Sequence, residues 1–166
     1  MADNKNTTEF SKDRLKQMRK SEVLKTIKKY FGPSTAVAAA IMGNIDVETG
    51  GSFDFKQKQY RGGPGRGLFQ FDWHRKHYAE YLEEEGLTDS MDTQVRYVAE
   101  NIYGKKQDVV GQGNARKLRN IFKTDDPVAI SDMFQARFLN PKKEKAHTDR
   151  RRSSTMDFLF ELSPEQ

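Results

Sequence analysis

Two acidic residues lie close together at the end of the run Thr35-Ala-Val-Ala-Ala-Ala-Ile-Met-Gly-Asn-Ile-Asp-Val-Glu-Thr49. The run is rich in alanine and reads as a helix. Val37, Ile41 and Ile45 drift slowly around one face, and Glu48 returns to that face, roughly 20° from Val37 at the helical pitch. Asp46 falls nearly opposite and is expected to be solvated and ionised. Glu48 is expected on the buried edge, at the C-terminal end of the helix. Desolvation there disfavours its anion, and the negative end of the helix dipole disfavours it again. A carboxyl that keeps its proton near neutral pH is what a general acid requires. The plainer alternative is a terminal Glu that tips into solvent or pairs with a Lys.

The next segment, 50–72, changes character. Gly62, Gly63, Gly65 and Gly67 surround Pro64, which reads as a turn-rich loop or short hairpin. Leu68-Phe69-Gln70-Phe71 follows and alternates like a brief strand. Flexible backbone, aromatic faces and one amide suit sugar binding, because rings pack on the apolar faces of pyranoses and amides hydrogen-bond hydroxyl and N-acetyl groups. Tyr60, Phe69, Phe71 and Trp73 are candidate rings and Gln70 is the candidate amide. In a strand, Leu68 and Gln70 share one side and Phe69 and Phe71 the other, so Gln70 can face a cleft while the rings fill the core. Asp54 and Asp72 are candidates for a second carboxylate, although Asp72 also suits the cap of a helix starting at Trp73.

These groups need a scaffold. A polar arm, expected to be mobile, covers 1–12, and a basic helix runs from Ser11 to Phe31 with Leu24, Ile27 and Phe31 on one face. Gly32 and Pro33 stop it, Ser34 caps the Ala-rich helix, and Gly50 and Gly51 end that helix. Further helices are expected from near Trp73 to Gly86, after a cap at Asp89 or Ser90 through Ile102, around Leu118 to Phe122, from Asp126-Pro127 to Pro141, and from Thr148 to Leu162. A polar loop is expected from Gly104 to Asn114. The fold class is mainly α, formally α+β, with one small β-hairpin or loop region after the Glu48 helix. The division expected is a basic N-terminal arm and helix over 1–33 and a single domain over 34–162.

Composition narrows the chemistry. The chain has 166 residues, a formal charge of +5 and no cysteine, with a pI near 9.3. Thiolate catalysis and thiolate metal sites are excluded. His74, His77 and His147 are scattered, so no metal or other cofactor is expected, and His74 and His77 are expected on a helix surface. The basic surface favours polyanions such as nucleic acid, an anionic membrane or an acidic cell wall. The polar N-terminal residues contain no apolar run, so neither a signal peptide nor a transmembrane segment is expected.

Four stretches in order carry a resemblance. Gly43-Asn44 leads to Glu48-Thr49; Gly67-Leu68-Phe69-Gln70-Phe71 is followed by Arg75; Thr93-Gln94 opens a helix that continues to Tyr97 and Glu100; and Phe134 and Phe138 precede Arg150 to Arg152. Together they resemble the phage tail lysozyme family over roughly 34–160. The chain departs from that pattern at Phe71, where the family has Trp, and at Thr49, where it often has Ser.

The resemblance implies a lysozyme-like helical domain and cleavage of the β-1,4 bond between N-acetylmuramic acid and N-acetylglucosamine in peptidoglycan. Glu48 would be the catalytic acid, and Gln70, Tyr60, Phe71 and Gly67 would bind substrate. Asp54 or Asp72 would supply any second carboxylate, and Arg75 would support the loop or pair with an acid. It also implies a virion-associated, tail-bound enzyme for wall penetration, with other virion or tail proteins as partners. Such a chain is made in the host cytoplasm and acts in the host wall or periplasm. Other readings stay open: a lytic transglycosylase, a free endolysin, or, from another class, a basic nucleic-acid-binding or virion structural protein without activity. The basic stretch from Lys12 to Lys29, and a second cluster of Lys142, Lys143, Lys145 and Arg150 to Arg152, support the nucleic-acid reading. No zinc-finger, RNA-binding or phosphate-loop pattern accompanies them.

Overall fold

The computed structural model describes residues 3–141 and 146–164. Eight α-helices follow in order: α1 (Asp3–Phe31), α2 (Thr35–Thr49), α3 (Arg75–Glu85), α4 (Met91–Ile102), α5 (Gln107–Val110), α6 (Gln112–Phe122), α7 (Pro127–Phe134) and α8 (Thr148–Leu162). A π-helical turn, Gln135–Leu139, continues α7, and a 3₁₀ turn, Tyr60–Gly62, lies in the long loop after α2. The fold is a mainly α domain.

The helix ends follow their local chemistry. Ser34 Oγ accepts the Val37 amide at 3.2 Å and starts α2, while Gly50 ends it in the left-handed conformation that costs glycine little. Of the two candidate caps for α4, Ser90 takes the position and forms a reciprocal capping box with Thr93. Asp126 caps α7 through the Ala129 amide, with Pro127 in the first turn.

α2 is the central strut, and every residue from Ala36 to Ile45 is buried. α8, α7 and α1 pack around it. The approach of α8 is close enough to need a glycine: a Cβ on Gly43 would stand 2.7 Å from the Thr155 backbone nitrogen. Val23 and Ile27 of α1 are fully buried in the core they share with α2. A cluster of rings (Phe69, Phe71, Tyr78, Tyr97, Phe134 and Phe138) fills the space between α3, α4, α7 and the loop.

Several expectations are corrected. The expected arm at 1–12 is helical from Asp3 onward, as the first turns of α1. The expected polar loop from Gly104 to Asn114 holds α5 and the start of α6. The helix expected from Trp73 begins at Arg75. No β-hairpin forms among the described residues; a single antiparallel bridge joins Lys58 and Arg66. Pairing cannot extend, because the chain turns at once through the 3₁₀ segment and Pro64, which has no amide hydrogen to donate. Leu68–Phe71 is a turn rather than a strand. The Phe71 amide closes back on the Arg66 carbonyl at 2.8 Å, and Gln70 takes a positive φ of 48°. Leu68, Phe69 and Phe71 are consequently all buried, without alternation.

Candidate active site

A groove of about 620 Å³ opens beside the last turn of α2, within the range of about 300–1,000 Å³ common for ligand sites. Val47 and Glu48 form one side. Gln59, Tyr60, Gly63 and Gln70 of the loop form a second. Trp73, His74 and the turn Leu139-Asn140-Pro141 form the third, with Arg151 and His147 from the α8 end.

Glu48 lies on the buried edge of α2, as its register demanded. Its side chain is 14% exposed, and its Oε1 accepts a hydrogen bond from Arg151 Nη2 at 2.7 Å. Burial pushes the carboxyl above the usual carboxylate range, and the charge and hydrogen bond of Arg151 pull it part of the way back. The partner is therefore an Arg from the first turn of α8 and not a nearby Lys. Arg151 is itself 1% exposed. Its remaining donors reach Asn44 Oδ1 at 3.0 Å and the Ala146 carbonyl at 2.5 Å. Asn44 in turn donates to Ser131 Oγ at 3.0 Å and to the Ala40 carbonyl at 2.8 Å. The guanidinium is thus fixed by three acceptors, and Glu48 Oε1 is fixed by the guanidinium.

Asp46 points to the other side of α2, as expected, but it is half-buried and not fully solvated, because Ser154 Oγ donates to it at 2.7 Å. Asp54 lies off the groove, in an ion pair with Arg19 at 3.6 Å. Asp72 lines the groove and is exposed. It does not cap α3, whose preceding residue His74 makes no side-chain cap either. Arg75 is exposed.

Gln70 faces the groove with its amide nitrogen already committed, donating to Gly67 O at 2.8 Å and Gln57 O at 3.0 Å. Both partners are carbonyls, so the amide orientation is set and the side-chain oxygen is the atom left for the groove. Tyr60 stands on the loop lip, 89% exposed. Phe71 contributes to the groove floor, but most of its ring is packed against Phe69, His74, Tyr78 and Tyr97. Gly67 is not on the groove wall. Its φ of 83° shapes the loop, and a Cβ there would collide with Gln94. Gln94 in turn accepts the Leu68 amide at 2.9 Å and donates to the Phe55 carbonyl at 2.8 Å, pinning the loop to α4.

The histidines correct another expectation. His74 is 2% exposed and not on a helix surface. Its Nε2–H donates to the Phe138 carbonyl at 2.9 Å, and its Nδ1 accepts from the Tyr97 hydroxyl at 2.7 Å. Burial lowers its pKa to about 4, so the ring is neutral at ordinary pH. Its partners, Tyr97 and Phe138, lie 23 and 64 residues away in the chain. Nothing local distinguishes such a His from a surface one. Arg151 was equally hidden, because α8 shows three consecutive arginines and only packing decides which turns inward.

A buried carboxyl with a raised pKa, at the end of a central helix and opening on a groove in a helical domain, is an arrangement suited to a lysozyme-like protein. The family model Phage tail lysozyme matches residues 18–159, and the chain belongs to that family. The match takes in α1 from Met18, ahead of the stretch where the sequence resemblance begins. Membership makes this a lysozyme-like protein of peptidoglycan degradation, associated with bacteriophage tails. Neither the curated proteins nor the solved structures contain a significant match.

Proposed function

We propose that the chain is a glycosidase that cuts the β-1,4 bond between N-acetylmuramic acid and N-acetylglucosamine, with Glu48 as general acid. The observation that carries this reading is the Glu48–Arg151 arrangement on the groove wall. Arg151 occupies Oε1, which leaves Oε2, the oxygen with no hydrogen-bond partner among the described residues, to carry the proton in the acid form. From there it passes to the departing glycosidic oxygen as the C–O bond breaks and positive charge builds on the sugar ring. Lysozyme is the standard example of this chemistry.

Gln70 supports the reading as an acceptor. Its free oxygen can hold an N-acetyl N–H, a sugar hydroxyl or the attacking water. Asp72 is the other carboxylate on the described groove wall and is the better placed of the two candidates to meet the cationic centre. Where the substrate N-acetyl oxygen captures C1 as an oxazolinium ion, and the C6 hydroxyl of the same sugar then displaces it while giving its proton to the Glu48 carboxylate, the product is a 1,6-anhydro sugar, the lytic transglycosylase outcome. A tail-bound virion role in wall penetration agrees with the family, since a particle can deliver an enzyme to the wall. Other tail proteins are the partners this implies. No described helix is long and apolar enough to cross a membrane.

Digestion of purified peptidoglycan, read by mass spectrometry, tests the proposal. The wild-type chain is expected to release disaccharide fragments, and Glu48→Gln none, because an amide cannot donate the proton. Reducing ends identify hydrolysis and anhydro ends identify transglycosylation. Undiminished digestion by Glu48→Gln overturns the assignment of the acid, and no products from the wild type overturn the enzymatic reading.

A further inference from the structure

The groove carries two rings in reach of a ligand, Tyr60 and Trp73, and they are held very differently. Tyr60 sits in a three-residue 3₁₀ turn next to Gly62 and Gly63, 89% exposed, with no aromatic neighbour in the described structure. Trp73 is 38% exposed, and its ring stands 3.6 Å, centroid to centroid, from the imidazole of His74. Its indole N–H donates to the Leu139 carbonyl at 3.0 Å. His74 donates to the preceding carbonyl, that of Phe138.

Two consecutive rings thus grip two consecutive carbonyls of the π-helical turn. A π turn departs from the regular ladder and leaves carbonyls in need of donors. His74 is buried, neutral and stacked on Phe138 at 4.3 Å, so it is a fixed backing for the indole. The result is a flat ring, immobilised from behind and along its N–H edge, that still contributes surface to the groove that Glu48 also lines.

We infer that Trp73 is the sugar-stacking platform of this groove, taking the apolar face of a pyranose ring of the glycan strand. The inference rests on the glycosidase reading and adds a specificity-determining residue to it. An indole already ordered loses little freedom when a sugar stacks on it, whereas Tyr60 must be ordered on binding. Trp73 therefore supplies affinity where Tyr60 supplies little. The sequence pattern fits this division of labour. Phe71, the ring directly after Gln70, is turned into the core, and the exposed ring is displaced two residues along the chain.

Trp73 is the sole tryptophan of the chain, so its emission reports on this one position. The probe is a peptide-free glycan strand of alternating N-acetylglucosamine and N-acetylmuramic acid, titrated into the Glu48→Gln protein, with calorimetry measuring binding independently. A saturable change in tryptophan emission, tracking the calorimetric isotherm, is expected. In the otherwise wild-type chain, Trp73→Ala is expected to raise KM about tenfold, with a smaller effect on kcat. Trp73→Phe, which keeps a ring but not the N–H, should recover part of that loss, and Tyr60→Ala should change KM less than Trp73→Ala. Binding by calorimetry with no change in emission overturns the inference and leaves the glycosidase reading standing. So does a Trp73→Ala enzyme with wild-type KM. Strands that neither bind the Glu48→Gln protein nor are cut by the wild type overturn both.

Discussion

Replacing Arg151 with Met removes the one positive charge in contact with Glu48 among the described residues while keeping an unbranched side chain in the space. Burial then acts on the carboxyl without opposition, so its pKa rises further above the carboxylate range. An adjacent opposite charge depresses a carboxyl, so loss of the 2.7 Å contact should move the pKa up. In the proposed mechanism the protonated form is the active one, so the basic limb of the pH profile of kcat/KM should shift to higher pH. The plateau should fall, because a weaker acid donates less readily and Oε1 loses its fixed partner.

Stability should fall as well. Asn44 Oδ1, Ala146 O and Glu48 Oε1 all lose a donor, and breaking a buried pair costs about 3–5 kcal/mol. That is a large share of the total of about 5–15 kcal/mol typical of a domain, so the assay belongs at low temperature, with near-UV circular dichroism confirming the folded state. Arg151→Lys restores charge through a single-point donor. It should bring the basic limb back toward the wild-type position without recovering all of the stability. The position of the limb is the diagnostic quantity. A basic limb that stays at the wild-type pH in a folded Arg151→Met enzyme would show that the titrating acid is not the carboxyl held by this guanidinium.

Two further outcomes follow from the scaffold. Gly43→Ala should lower the melting temperature by the equivalent of about 1–3 kcal/mol, since the added methyl meets the Thr155 backbone as well as its side-chain oxygen; an unchanged melting temperature would mean that α2 and α8 are not so closely apposed. His74 titrates near 4 when folded, against 6.5 ordinarily, so below pH 6.5 the unfolded chain binds the extra proton. The stability this His contributes is complete above pH 6.5 and is lost as pH falls toward 4, by about 3 kcal/mol. Chemical denaturation across that window should show the loss, and His74→Gln should flatten it; an equal slope in both proteins would place the effect elsewhere.

The helical frame could be read from the sequence because its signals are local. Ser34, Ser90 and Asp126 cap helices through their own nearby amides, and Gly50 ends one, so each boundary needed only a few residues of context. Glu48 was legible for a related reason: helical register places it on the apolar edge whatever that edge meets. The loop was less legible. Whether Leu68–Phe71 alternates or turns depends on Gln94, 26 residues from Leu68, accepting its amide, and on backbone with positive φ at Gly67 and Gln70. Asp54 and Asp72 could not be ranked, since the ion pair with Arg19 that draws Asp54 away lies outside any local pattern.

The residues that carried the family resemblance divide along the same line. Glu48 and Gln70 meet the groove directly. Asn44, Gln94 and Tyr97 do not; they act on the groups that do. Asn44 fixes Arg151, which fixes Glu48. Gln94 pins the loop that aims Gln70. Tyr97 donates to His74, which backs Trp73 and holds the π-turn wall. Each wall of the groove is therefore tied by a buried polar residue to a helix: one to α8 through Asn44 and Arg151, and two to α4, through Gln94 and through Tyr97. A general acid works only within hydrogen-bond reach of its target oxygen, and an error of about 1 Å in a reacting group can cost about a hundredfold in rate. Three separate ties, each made of groups that are costly to leave unpaired in the core, keep a groove assembled from distant segments within that tolerance.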